Sequence, residues 1–182
     1  MNNGCHVKTA ASDYDSVINP IKDRMKRSII RIVQNPDDAA DAFQDALFRV
    51  WMYWERIIEH PNPQAYILNI CVSSSYDFLR KKSSVLRLEN SLIANSAHLP
   101  ESIAPLVMRN EITRLIRQAI LDLPLKQAQA VFLRLFEEEP YDVISKVMNC
   151  REETVRSHVS KGLSRLRQVL SDQKISLAEV GW

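Results

Sequence analysis

At 182 residues and 46% hydrophobic content, the chain is long enough for one medium domain or two small ones. Three glycines and 7% aromatic residues speak against a sheet-rich sandwich or barrel, and the Ala, Leu, Arg, Glu, Gln and Lys of the long periodic stretches favour an all-α fold. A net charge of +2 decides nothing about a polyanionic partner, because a chain that holds both DNA and a protein surface carries both signs.

The residues from Met1 to Asp15 are polar and lack the apolar core of a secretory signal. No apolar run is long enough to span a bilayer, so a cytoplasmic protein without membrane insertion is expected. Cys5, Cys71 and Cys150 are odd in number and share no CxxC spacing, which fits reduced thiols. Cys71 reads as a small core residue, and Cys5-His6 as part of a disordered N-terminus.

In chain order, the first block runs over 13–82. Val17 to Val33 gives an apolar and basic helix. Asn35-Pro36-Asp37-Asp38 then opens another: Asn35 caps, Pro36 suits the first helical position, and the two acids face the N-terminal dipole. This helix is expected to reach Trp54 or Ile57. At about 100° per residue, Ala39, Ala42, Phe43, Ala46, Leu47, Val50 and Trp54 share one side, a core stripe. Asp38, Asp41, Gln44, Asp45, Phe48 and Met52 share the other. Apolar side chains ringed by charge are what a protein-docking face requires, although a charged stripe also serves simply to keep a helix soluble.

Pro61 and Pro63 punctuate, and Gln64 to Lys82 forms the next helix. Its inner face carries Tyr66, Ile67, Ile70, Cys71, Ser74 and Phe78. Arg80, Lys81 and Lys82 close it, where cations are favoured by the helix dipole whatever the function. Beside the aromatic residues Tyr66, Tyr76 and Phe78, these cations also suit single-stranded DNA, whose bases stack and whose backbone attracts cations.

Residues 83–109 are rich in Ser and Asn, include Pro100 and Pro105, and read as a flexible linker. The second block covers 110–171 and reads as four helices: Glu111 to Leu121, Leu125 to Phe136 after Pro124, a short one from Pro140 to about Met148, and Glu152 to Leu170. Asn149 suits the left-handed position that ends the short helix. A short helix, a tight turn and a longer basic helix make a helix-turn-helix. The start of the last helix carries Glu153, Thr154, Arg156, Ser157, His158, Ser160, Lys161 and Arg165. The small serines permit close approach to a groove, and the cations and acid have partners on phosphates and base edges. A terminal helix with a solvated basic face is the plainer reading.

Chemistry of other kinds has little support. His6, His60, His98 and His158 are dispersed. No glycine-rich phosphate loop, nucleophile elbow or paired-carboxylate arrangement occurs, so no enzyme activity, cofactor or metal is expected.

Taken together, the motifs resemble a known family. DAADAFQDALFRVW resembles the polymerase-binding helix of extracytoplasmic-function (group four) sigma factors, and QAYILNICVSSSYDFLRKK their promoter-melting segment, with Asp77 and Arg80 at matching positions. The stretch from Ala119 to Leu170 is similar to their terminal DNA-binding domain through Leu123-Pro124, Tyr141, Ile144, Thr154-Val155, Ser157 and Leu166-Arg167. The chain departs from the family pattern with Ser73 for the usual Asn, Tyr66 for Trp, Ala128 for Arg and Lys161-Gly162 for Arg-Ala.

The resemblance implies two small helical domains joined by a flexible linker, the second a helix-turn-helix. It implies that Asp38, Asp41, Gln44, Asp45, Phe48 and Met52 meet the β′ clamp helices of core RNA polymerase. Tyr66, Asn69, Ser73, Asp77, Arg80, Lys81 and Lys82 would act in melting promoter DNA, and the second domain would bind the β flap and read the upstream element. A dedicated anti-sigma factor is implied as a further partner. Two other readings stay open: a helix-turn-helix regulator that binds DNA without polymerase, and a sigma-like interaction protein without promoter activity.

Overall fold

The computed structural model describes the backbone of residues 4–92, 119 and 122–172, and side chains over 14–84, 119, 122–169 and 171. Among the described residues seven helices form and no strand: α1 (Gly4–Val33), α2 (Pro36–Met52), α3 (Trp54–Ile58), α4 (Pro63–Leu92), α5 (Leu125–Leu135), α6 (Tyr141–Met148) and α7 (Glu152–Asp172). The all-α expectation holds.

Helix α1 buries Ile18, Ile21, Met25, Ile29 and Ile32, a stripe at the spacing of one helical face. It starts at Gly4 rather than Val17, so the expected disorder around Cys5-His6 is corrected; no breaker other than Pro20 interrupts the segment. Gln34, in the left-handed region at φ 63°, ends α1. Asn35 then caps α2, its side chain accepting from Asp38 N–H at 2.9 Å, with Pro36 next as expected. The core stripe of α2 is buried at Ala39, Ala42, Phe43, Ala46 and Val50.

The predicted continuation of α2 through Trp54 fails at Tyr53. There the N–H turns to both Arg49 and Trp51 carbonyls, and φ −106°, ψ 18° departs from the helix. The step redirects the chain so that Trp54 and Ile57 of α3 are both buried. Asn62 Oδ1 accepts from Ala65 N–H at 3.0 Å and starts α4 at Pro63.

Helix α4 is hidden around much of its circumference: Ile67, Leu68, Cys71, Val72, Ser74 and Ser75 are all fully buried. It packs on α1 and α2 on one side and on α5 and α6 on the other. It also runs to Leu92, so the start of the expected linker is corrected. Ser83 to Leu92 contains neither Pro nor Gly and continues the helix, while 93–109 lie outside the described residues.

In the second unit, α5 is buried without interruption from Gln127 to Leu133, because α7 and α4 take opposite sides of it. Asn149 ends α6 at φ 51°, ψ 55°, with Cys150 N–H returning to the Ser145 carbonyl at 3.0 Å. The first helix expected in this block lies outside the described residues except for Ala119, which is helical and buried.

Where α7 crosses α5, Gly162 is buried, and a Cβ built there would stand 2.6 Å from Val131 Cγ2. Overpacking costs about 1–3 kcal/mol, against about 1 kcal/mol that a helical glycine loses relative to alanine. Gly162→Ala is expected to destabilise the chain by about 1 kcal/mol in a denaturant titration. Combined with Val131→Ala it should cost less than the two separate losses added. Strict additivity would show that these two side chains do not meet.

Candidate protein-docking and nucleic-acid interfaces

The outer face of α2 places Phe48 and Met52 in solvent, 62% and 63% exposed, with Asp41 and Gln44 exposed beside them. Asp45 bonds Arg49 one turn on at 2.8 Å, and Arg49 also reaches Asp77 of α4 at 2.7 Å. Asp38 differs from the expectation of a free surface acid. Its side chain is 15% exposed, and both its oxygens accept from Lys82 Nζ, at 2.7 and 2.5 Å. One predicted docking residue and one predicted phosphate-gripping residue thus hold each other, and bind α2 to α4.

The exposed apolar surface is wider than the helical stripe alone indicated. Trp51, Tyr53 and Ile58 are exposed, and Trp51 through Arg56 line a cleft of about 460 Å³. Tyr14 meets Trp51 and Trp54 edge-on at 5.4 and 5.0 Å. The signal was the WMYW run, but its exposure depends on the break at Tyr53, which periodicity does not contain.

Along α4, Asn69, Ser73, Asp77, Arg80 and Lys81 follow the three- and four-residue steps of one helix face. Tyr66 lies at its start, half-buried with its ring 5.1 Å from His60. Ser73 donates to the Asn69 carbonyl at 2.9 Å and accepts from Gln129 Nε2 of α5 at 2.8 Å. Arg80 and Lys81 are exposed. Tyr76 is a correction: at 1% exposure on the Leu68–Val72–Leu79 stripe, it belongs to the core and offers no ring to a base. Burial pushes its phenol up. Burial, followed by the charge of Glu137, also holds the Cys71 thiol well above its ordinary range, which leaves it inert as expected of a core cysteine.

On α7, Glu153, Thr154, Arg156, Ser160, Lys161 and Arg165 are exposed, with Ser157 and His158 half-buried between them. Arg156 is oriented. Its guanidinium lies 4.1 Å from the centre of the Tyr141 ring, and Nη2 is 3.5 Å from Glu152 Oε2. Arg134 also meets the Tyr141 ring, at 4.9 Å. Among the described residues no group of three or more His, Cys, Asp or Glu could hold a metal, and no helix is long and apolar enough to cross a membrane.

Two family models match the chain: Sigma-70 region 2 over residues 17–85 and Sigma-70, region 4 over residues 113–166. The RNA polymerase sigma-E factor of Streptomyces coelicolor is 26% identical over 159 residues, covering 87% of this chain and 86% of the relative. The ECF RNA polymerase sigma factor SigW of Bacillus subtilis is 23% identical over 171 residues, covering 87% and 89%. The sigma factor RpoE, solved in complex with the anti-sigma factor NepR from Bartonella quintana, shares the fold with a TM-score of 0.56 at 21% identity, over 87% of this chain and 97% of that one. The helix order, the helix-turn-helix and these matches agree: the chain belongs to the sigma-70 family of RNA polymerase sigma factors, in its extracytoplasmic-function group.

Proposed function

We propose that the chain binds core RNA polymerase and directs promoter-specific initiation as a cytoplasmic factor that is not itself an enzyme. Residues 13–82 form the polymerase-binding and melting domain, 83–109 the connection, in which α4 extends to Leu92, and 110–171 the upstream-element reader. A protein in this role makes no covalent bond. Phosphate contacts hold the duplex, while stacking and pocket contacts offset the cost of unpairing.

The observation that carries the reading is the pair of large apolar side chains, Phe48 and Met52, standing in solvent on a helix whose other face is fully packed. Burying such anchors inside a polar rim is a main source of protein–protein affinity. Asp41, Gln44 and Asp45 supply that rim against the β′ clamp helices, with Asp38 acting through Lys82. On α4, Tyr66, Asn69, Ser73, Asp77, Arg80 and Lys81 meet the melted strand. The second domain docks on the β flap and lays α7 in the major groove. An anti-sigma factor is a natural antagonist, since the structural relative was crystallised with one.

Phe48→Ala with Met52→Ala is expected to leave helicity intact and weaken core polymerase binding by about 2–4 kcal/mol in a titration. Unchanged affinity would remove this face from the interface.

On α7, Arg156 and Lys161 are assigned different work. The planar fork of Arg156, held over Tyr141, suits bidentate contact with guanine, and the point charge of Lys161 suits a phosphate. Arg156→Ala should cost about 1–3 kcal/mol and relax preference at one position of the upstream element. Lys161→Ala should weaken all promoters alike and lower the salt slope by about one unit. The reverse pattern, measured with holoenzyme on a set of promoter variants, would mean that the helix docks in another rotation.

A further inference from the structure

The three helices α5, α6 and α7 meet at one aromatic ring. Tyr141 is the first residue of α6, directly after Pro140, and it is half-buried against a core that Ile144, Val147 and Met148 supply from the same helix. Arg134 reaches the ring from the last turn of α5, with its guanidinium carbon 4.9 Å from the ring centre. Arg156 reaches it from the second turn of α7, at 4.1 Å.

The surroundings differ for the two arginines. Arg134 is half-buried, and its Nη1 donates to the Glu139 carbonyl at 3.1 Å, so it is tied at its head as well as over the ring. The backbone of Arg156 is pinned by its neighbour Val155, which is fully buried, while its side chain stands in water.

Two groups act on the Arg156 head. Glu152, one turn earlier on α7, lies 3.5 Å from Nη2, but the two side chains are 59% and 42% exposed. Water screens an exposed pair of this kind until it contributes little. The other group is the electron-rich face of Tyr141, which attracts a guanidinium held over it. What each group leaves free decides its use. A carboxylate takes N–H donors, which lie in the plane of the guanidinium. A ring against the guanidinium face takes none, so the fork keeps the donors that guanine O6 and N7 accept from. An arginine without such a support spreads over many rotamers, and that freedom is lost when a base is bound.

We propose that Tyr141 is a positioning residue for sequence reading: its ring, braced by Arg134, holds the Arg156 fork in one orientation and so directs it to a base edge. The proposal rests on α7 as the reader of the upstream element, whereas the ring contact itself exists without DNA or polymerase. A phosphate presents oxygens in several directions and gains little from an oriented fork, but a base edge accepts bidentate contact from one direction. Tyr141 therefore contributes to preference among promoters more than to affinity for DNA in general.

The test takes Tyr141→Phe and Tyr141→Leu in the full chain, first alone and then as holoenzyme. In the chain alone, ring current should shift the Arg156 δ protons upfield in the wild type and in Tyr141→Phe, and Tyr141→Leu should abolish the shift. Holoenzyme is then bound to a pool of promoter duplexes randomised over the upstream element, and the ratio of preferred to disfavoured base is read at each position. Tyr141→Leu should lower that ratio about two- to fivefold, the effect of one exposed cation–π contact, at the position that Arg156→Ala relaxes. The salt slope should not change, because no charge is removed. Tyr141→Phe and Glu152→Gln should both keep the wild-type ratio.

An unshifted Arg156 signal in the wild type, or equal ratios for the wild type and Tyr141→Leu, overturns the proposal. A loss in Glu152→Gln with none in Tyr141→Leu overturns it too, by making the carboxylate the positioning group. A loss spread evenly over all positions would reduce the ring to a structural part. Should Tyr141→Leu lose helicity by circular dichroism, trifluorophenylalanine in place of Tyr141 keeps the ring's shape while weakening its face, and the same drop in ratio is expected. A holoenzyme with no upstream preference at all, its ring-current shift intact, overturns the assignment of α7 and the proposal with it. Preference that is present but indifferent to Tyr141 overturns the proposal alone.

Discussion

Everything in this molecule is arranged around the double burial of α4. A helix packed on one side can devote the opposite face to a partner, but α4 is enclosed by α1 and α2 from one direction and by α5 and α6 from another. Its apolar residues Ile67, Leu68, Val72 and Leu79 serve these contacts, and what remains is a narrow polar line through Asn69, Ser73 and Asp77. Each member of that line is already engaged within the chain: Ser73 by Gln129, Asp77 by Arg49, and the Asn69 carbonyl by the Ser73 hydroxyl. The face proposed to meet DNA is thus also in contact with the second unit, through Ser73 and Gln129.

Electrostatics follows the same economy. A net charge of +2 conceals a layout in which acids and bases are paired across helices rather than spread over the surface: Asp38 with Lys82, Arg49 with Asp45 and Asp77, Arg24 with Glu137 and Glu139. The partly exposed pairs contribute little stability individually, with a median near 0–1 kcal/mol in general. Their effect is positional. They fix which cations are available to a polyanion: Arg80, Lys81, Arg156 and Lys161 are exposed, while Lys82 and Arg24 are paired with carboxylates.

Local rules made much of this legible. Asn35-Pro36 marked the start of α2 because a cap and a pre-set φ act within four residues, and the buried and exposed stripes of α2 followed from its period. Asn149 marked the end of α6 for the same local reason. What escaped was set by distant packing. The burial of Tyr76 depends on neighbours from other helices, so its place beside the basic end of α4 suggests a surface ring that the packing does not leave, and the break at Tyr53 depends on where Trp54 must go to be buried. The Arg24–Glu137 contact joins positions 113 apart, and no periodicity carries that information. The continuation of α4 to Leu92 was hidden by composition, since serine and asparagine suggest a linker yet contain no breaker.

The central claim is that these helices serve polymerase-dependent initiation rather than DNA binding alone. Run-off transcription with purified core RNA polymerase, this chain and fragments of genomic DNA tests it most directly. The account predicts discrete transcripts from a small set of start sites, present only when both core and this chain are added. Specific DNA binding by the chain with no such transcripts would contradict it.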